Sequence, residues 1–380
     1  MIFKNFLSIK KNKIIKKDLL NLLKKQPKLF ETLKPNYQYS YSKKIISKYQ
    51  KFDNIRIIGM GGSVLGTEAI YNFLKKKIKK KFTFVNNLNS NADYFKDKNI
   101  NLNLIISKSG NTLETIANAN TLIKSKDSNI VITENKNSYL TDLAKKLKAE
   151  IFEHKNYVGG RYSVLSEVGM LPAELMNLNE NKFKQFNNLI KNKTFTNNLV
   201  NNVAATLNLI KSGKCTSVIL NYDEKSENLF KWYQQLIAES LGKKSKGILP
   251  IISSMPKDNH SLMQLYLDGP KKIFYTFFNV LDNRTIQLND RSIISSHKYL
   301  KNKSIEKIKQ SQMLATEKVF RFKKLPFRSF RILKRDEKSL GELFCFFILE
   351  TILLGRALNV DPFDQPSVEL IKTETQKILT

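Results

Sequence analysis

The sequence predicts an α/β protein built from two similar doubly wound lobes. Three observations lead there. Short apolar runs alternate with amphipathic stretches from residue 55 onward, as in βαβ units with a parallel sheet. Two of those runs end in turns rich in Gly, Ser and Thr that open into helix-like stretches. A second series of the same texture begins near Asn197, and 380 residues suffice for two cores.

Residues 1 to about 50 are lysine-rich and helix-compatible, with Pro27 and Pro35 dividing them. Strands are predicted at 55–59, 82–86, 102–106 and 130–133, with helices starting at Val64, Thr112 and Ser138. The second series reads as a helix over 197–210, a strand over 217–222 and a helix over 225–241. Further strands follow at 248–252 and 273–279. Residues 341–358 read as a buried helix, and Pro366 opens a last one. This divides the chain into an N-terminal helical segment (1–48), two lobes (49–180 and 181–365) and a C-terminal helix (366–380) that returns to the site. A ligand is expected near the carboxyl ends of the strands, between the lobes.

Composition narrows the partners. The hydrophobic share of 41% is that of a globular chain. The 65 Lys and Arg against 33 Asp and Glu give a net charge of +32, which taken alone would fit a nucleic-acid binder. The lysines are spread along the chain among Asn and Ile, a pattern of A/T-rich codon usage rather than of a basic face, so no nucleic-acid partner is expected. Their field still attracts small anions. Two cysteines and three scattered histidines offer neither a disulfide framework nor a metal cluster. The apolar run 344–354 is interrupted by Glu350 and is too short for a membrane span. The N-terminal residues contain no secretion-like apolar stretch. A cytoplasmic chain with no membrane partner is expected.

The turns at 59–63 and 107–112 carry the first chemical signal. Helix N-termini present unpaired N–H groups, Gly lets backbone approach a ligand, and hydroxyls add donors, so the pair suits a phosphorylated small molecule. Either turn alone equally fits an ordinary strand-to-helix loop. Other candidates are similarly two-sided. Arg161, after Gly159-Gly160, can stabilise a developing oxyanion or simply tie down a loop. Gln235 and Glu239 share one helix face, where Glu239 can act as a general base or face solvent. His260 can exchange protons or cap a helix. Gln365 and Lys372 stand at the entrance of the last helix and two turns into it.

In sequence order, the segments Gly59 to Gly66, Ser107 to Thr115, Gly159-Gly160-Arg161-Tyr162-Ser163, Gln235 to Gly242, Asn259-His260-Ser261 and Phe363-Asp364-Gln365 through Lys372 resemble the phosphoglucose isomerase family. The likeness starts near residue 50. It implies two sugar-isomerase lobes, each a parallel sheet flanked by helices (three-layer αβα). It also implies interconversion of glucose 6-phosphate and fructose 6-phosphate through a cis-enediol, with no cofactor and no metal. By position, Ser107, Lys108, Ser109 and Thr112 would hold the phosphate, with Gly62 and Ser63 lining the same pocket. Glu239 would shuttle the proton and Arg161 would stabilise the enediolate. His260 and Lys372 would assist ring opening, and Gln235 and Gln365 would position hydroxyls. The family supplies the histidine across a subunit interface, so a homodimer is implied.

The resemblance is imperfect at four positions. Gly110 and Asn111 replace bulkier or hydroxylated residues, Ser367 replaces a small Gly or Ala, and Glu167 occupies a usually small position. Two readings on the same lobes compete with the narrow isomerase. One is an isomerase that also accepts mannose 6-phosphate, against which Gln235 stands. The other is a non-catalytic sugar-phosphate sensor, which would need the hydroxyl-rich turn but not Glu239, Arg161 and Lys372 together.

Overall fold

The computed structural model describes residues 1–6, 13–88, 102–124, 126–281 and 286–380. The first half contains β1 (Ile2–Lys4), α1 (Lys13–Lys25), α2 (Lys43–Ser47), β2 (Asn54–Gly59), α3 (Leu65–Phe73), β3 (Lys81–Val85), β4 (Leu102–Ile106), α4 (Leu113–Leu122), β5 (Ser128–Thr133), α5 (Tyr139–Leu147), β6 (Glu150–Glu153) and α6 (Glu167–Leu175). The second half contains α7 (Phe186–Lys191), α8 (Lys193–Lys211), β7 (Thr216–Asn221), α9 (Glu227–Leu241), β8 (Leu249–Ser254), α10 (Met263–Asp268), β9 (Ile273–Val280), α11 (Ile305–Phe322), β10 (Phe327–Ile332), α12 (Glu337–Ala357) and α13 (Pro366–Leu379).

Two five-stranded sheets result, ordered β3-β2-β4-β5-β6 and β1-β10-β9-β7-β8. Every pairing is parallel except β1 with β10. The central strands β2 and β4 are buried on both faces, as parallel strands covered by helices must be. Two similar doubly wound sheets therefore stand where the alternation put them. The sheets share connectivity as well as texture. From β2 the chain goes to β3 on one side and returns to β4 on the other, and it does the same from β7 to β8 and back to β9.

The N-terminal segment was expected to be helical. Helices α1 and α2 lie in it, but it opens with β1, whose Phe3 ring lies 4.5 Å from that of Phe330, so burying Phe3 against the sheet edge outweighs a short helix there. Residues 7–12 of that segment lie outside the described residues. Strand β10, absent from the sequence reading, is masked there by Arg328 and Arg331. Arg328 is buried because it bonds Glu350 of α12, Asn202 of α8 and Thr276 of β9. That arrangement pairs a charge that burial would otherwise penalise heavily. Helix α12 is the central element of the second half, buried almost along its whole length. Among the described residues no helix is long and apolar enough to cross a membrane.

Candidate active site

Strands β2 and β4 are neighbours, with Gly59 opposite Ile106. The turns that follow them therefore emerge side by side at the carboxyl edge of the sheet. They flank the point where strand order reverses, the usual ligand position in an open α/β sheet. Ser107 Oγ and Thr112 Oγ1 lie 2.8 Å apart, and Ser109 Oγ accepts the Asn111 N–H at 3.2 Å. Gly110 has φ +71, and an added Cβ would collide with Ser138 Oγ, so no L side chain fits. The Gly110 carbonyl accepts the Leu140 N–H at 3.1 Å and Asn111 Oδ1 accepts the Tyr139 N–H at 2.9 Å. The two departures from the family pattern thus fasten this turn to the start of α5. Lys108 is turned to the Asn156 carbonyl, 2.8 Å away, and to Glu134, 3.6 Å away. Beneath them His154 is fully buried, and burial pushes its imidazole down to about 4.

The second feature is built around Arg161. Helix α9 lies along α3, and its later turns meet the 61–63 turn and the 160–165 segment. Gly62 sits so close to the Gly160 carbonyl that a Cβ would overlap it. Arg161, 2% exposed, uses its guanidinium in every direction. Nε donates to Ser240 Oγ at 2.8 Å, and Nη1 donates to Glu239 Oε2 at 3.1 Å and Gln365 Oε1 at 2.7 Å. Nη2 donates to the Pro362 and Asp364 carbonyls at 2.7 and 2.9 Å. The Trp232 indole donates to the Arg161 carbonyl at 3.1 Å and fixes its backbone.

Gln235 stands one turn before Glu239 on α9, and its Nε2 donates to Glu239 Oε1 at 2.8 Å. Both oxygens of the carboxylate are thereby oriented while the side chain keeps 31% exposure toward the cleft. The other end of the Gln235 amide is unsatisfied: Oε1 is buried with no partner among the described residues. A buried acceptor left open in this way marks a place for a donor from a ligand. A base, a cation and an open acceptor on one small surface can together move a carbon-bound proton and stabilise the charge that results.

The structure joins Gly62, Ser63, Arg161, Gln235, Glu239 and Gln365 around this surface, with Ser107, Ser109 and Thr112 on the neighbouring strand end. It does not bring in His260 or Lys372. His260 is exposed and follows a 3₁₀ turn held by Asp258, which accepts from Ser254 N at 2.7 Å and from the Ser253 and Ser261 hydroxyls at 3.0 Å. Lys372 is exposed and pairs with Glu369 at 2.6 Å. Helix α13 starts beside the site, since Gln365 just before it accepts from Arg161, and none of its residues is buried against the lobes. The setting of Arg161 also depends on groups that sequence reasoning left without roles. Ser240 anchors both Arg161 and the Tyr162 hydroxyl, the latter at 2.9 Å, and the Pro362 and Asp364 carbonyls complete the cradle. Ser240 stood inside a quoted segment, but backbone carbonyls two hundred positions away leave no sequence signal. Glu167 also gains a reason, since it accepts from the Tyr37 hydroxyl and the Ser40 N–H at 3.0 Å and ties the N-terminal segment to the first lobe.

Comparison with known proteins came out consistently. The family described as phosphoglucose isomerase matches residues 9–380. A probable glucose-6-phosphate isomerase of Methanococcus maripaludis is 31% identical over 357 residues, covering 88% of this chain and 81% of its own. A glucose-6-phosphate isomerase of Methanocaldococcus jannaschii is 32% identical over 342 residues, covering 85% and 84%. Among solved structures, a hypothetical protein from Thermus thermophilus superposes with a TM-score of 0.86 at 22% identity, covering 97% and 95% of the two chains. A glucose-6-phosphate isomerase from Chlamydia trachomatis gives 0.70 at 20% identity, covering 88% and 71%, so both structures speak for the fold. On this match and on the arrangement of residues 59–63, 107–112, 161, 235–240 and 365, the chain belongs to the phosphoglucose isomerase family.

Proposed function

We propose that this chain interconverts glucose 6-phosphate and fructose 6-phosphate by base-catalysed transfer of a proton between C2 and C1. The observation that carries the proposal is the oriented Glu239 carboxylate beside the Arg161 guanidinium, with the buried, open Oε1 of Gln235 next to them. Ser107, Ser109 and Thr112, with Gly62 and Ser63, receive the phosphate at the ends of β2 and β4. This grip anchors the sugar at a distance from the reacting carbons and fixes its orientation. Glu239 removes the proton from one carbon and returns it to the other. Negative charge gathers on oxygen in the cis-enediolate between these steps, and Arg161 faces it. Gln235 and Gln365 orient the hydroxyls. Lys108 contributes its backbone and the charge of its side chain, which is held near Glu134.

His260 and Lys372 are assigned to ring opening, with His260 supplied by a second copy of the chain. Two features support a homodimer. His260 is exposed, away from the Arg161 cluster of its own chain. Helix α13 leaves Leu370, Ile371 and Ile378 from 70 to 83% exposed, an apolar stripe that a second subunit would cover. We read 49–180 and 181–365 as the two lobes, and the chain as cytoplasmic. The test is a coupled assay of fructose 6-phosphate formation by the purified protein. Absence of turnover, or equal turnover of mannose 6-phosphate, would defeat the proposal as stated.

A further inference from the structure

The second sheet repeats the connectivity of the first, and its own point of strand reversal lies between β7 and β9. A pocket of about 230 Å³ opens there. It is lined by Tyr222 just after β7, by Asn279 near the end of β9, and by Glu306, Lys307, Lys309 and Met313 of α11. The proposed reaction uses none of these residues. Tyr222 lies five residues before α9 begins at Glu227, whereas Glu239 is in the last turn of that helix, about 18 Å further along its axis. The pocket is therefore separate from the cleft that holds Arg161.

Three properties of the pocket point to one kind of ligand. Asn279 is 6% exposed, lines the pocket, and has a buried Oδ1 with no partner among the described residues. A buried amide oxygen in that state calls for a donor such as a hydroxyl. The pocket also lies at the N-terminal end of α11, an 18-residue helix capped by Ser304, which favours negative charge. The charges agree with this. Lys309 lies between Glu306 at 3.5 Å and Glu224 at 3.6 Å, and Lys307 is the exposed cation of the lining.

We infer that the carboxyl edge of the second sheet is a binding site for a small hydroxylated anion, with Asn279 accepting from its hydroxyl and Lys307 facing its charge. This site does not depend on the catalytic assignment. Its test is equilibrium dialysis of the full-length protein with labelled glycerol 3-phosphate, a compact anion that carries hydroxyls. The native chain is expected to bind two molecules, one at each strand-reversal point. Lys307→Glu and Asn279→Asp should each weaken one of the two sites at least about tenfold, leaving turnover without the ligand unchanged. Lys307→Arg should restore binding, and inorganic phosphate, which lacks the carbon-bound hydroxyls, should bind this site more weakly. Isotherms that neither variant alters would overturn the inference. If instead Ser107→Ala leaves binding and turnover intact, the catalytic reading fails while the second site stands.

Discussion

Arg161 Nη1 donates to Glu239 Oε2 at 3.1 Å, joining residues 78 positions apart in the chain. The first lobe thus supplies the cation and the second lobe the carboxylate, and neither lobe alone forms the reacting surface. Single substitutions at this contact separate its roles.

Glu239→Gln keeps the shape of the side chain and its neighbour Gln235 but removes the base. Turnover should fall by roughly 10²–10⁴, while sugar-phosphate affinity stays within a few fold. Steady-state kinetics together with a direct binding titration distinguish this outcome from a loss of binding.

Arg161→Lys retains a charge but cannot reach Ser240, Glu239, Gln365 and two carbonyls at once. A fall in kcat of roughly 10²-fold or more is expected, larger than the change in KM. A raised KM with kcat unchanged would mean that the guanidinium mainly binds ground-state substrate.

Gly110→Ala introduces a side chain at φ +71 against Ser138. It should cost about 1–3 kcal/mol in urea unfolding. KM should rise with it, because the 107–112 turn can no longer close on α5.

His154 supplies a pH dependence of stability. Its imidazole is held down from 6.5 to about 4, chiefly by burial. Above pH 6.5 it is neutral both folded and unfolded, and the native state carries no penalty from it. Between 6.5 and 4 the unfolded chain takes up a proton that the folded chain refuses, so stability falls toward acid by roughly 1.4 kcal/mol per pH unit at most. Urea midpoints at pH 7 and pH 5 should differ in this sense, and His154→Gln should reduce the difference.

Removing 366–380 takes away no buried residue. The truncated chain should keep a cooperative thermal transition near that of the full chain but lose most turnover with Lys372. Sedimentation of both forms checks the proposed homodimer, which should be weakened or lost with the helix.

The parallel lobes were legible because buried strands carry apolar runs such as Leu104-Ile105-Ile106 and Ile130-Val131-Ile132, and the turns after them carry Gly or Ser. The turn residues and the Gln235–Glu239 pair were legible because their spacing is local. Strand β10 was not, since Arg328 looks solvent-facing until Glu350 and Asn202 are seen beside it. The Arg161 cradle was only half visible. The arginine stands out in its Gly-Gly-Arg context, whereas what it grips are backbone carbonyls, which no side-chain pattern announces. The surroundings of α13 were not legible, because periodicity reports that a helix has an apolar stripe but not what covers it.

The pairing of β1 with β10 has a bearing on how the molecule is made. Ile2 must meet Arg331, so β1 finds its seat only after more than three hundred further residues have been made. The first sheet draws all of its strands from residues 54–153 and can close during synthesis. The second sheet waits for β10, and only then is its outermost strand held in place.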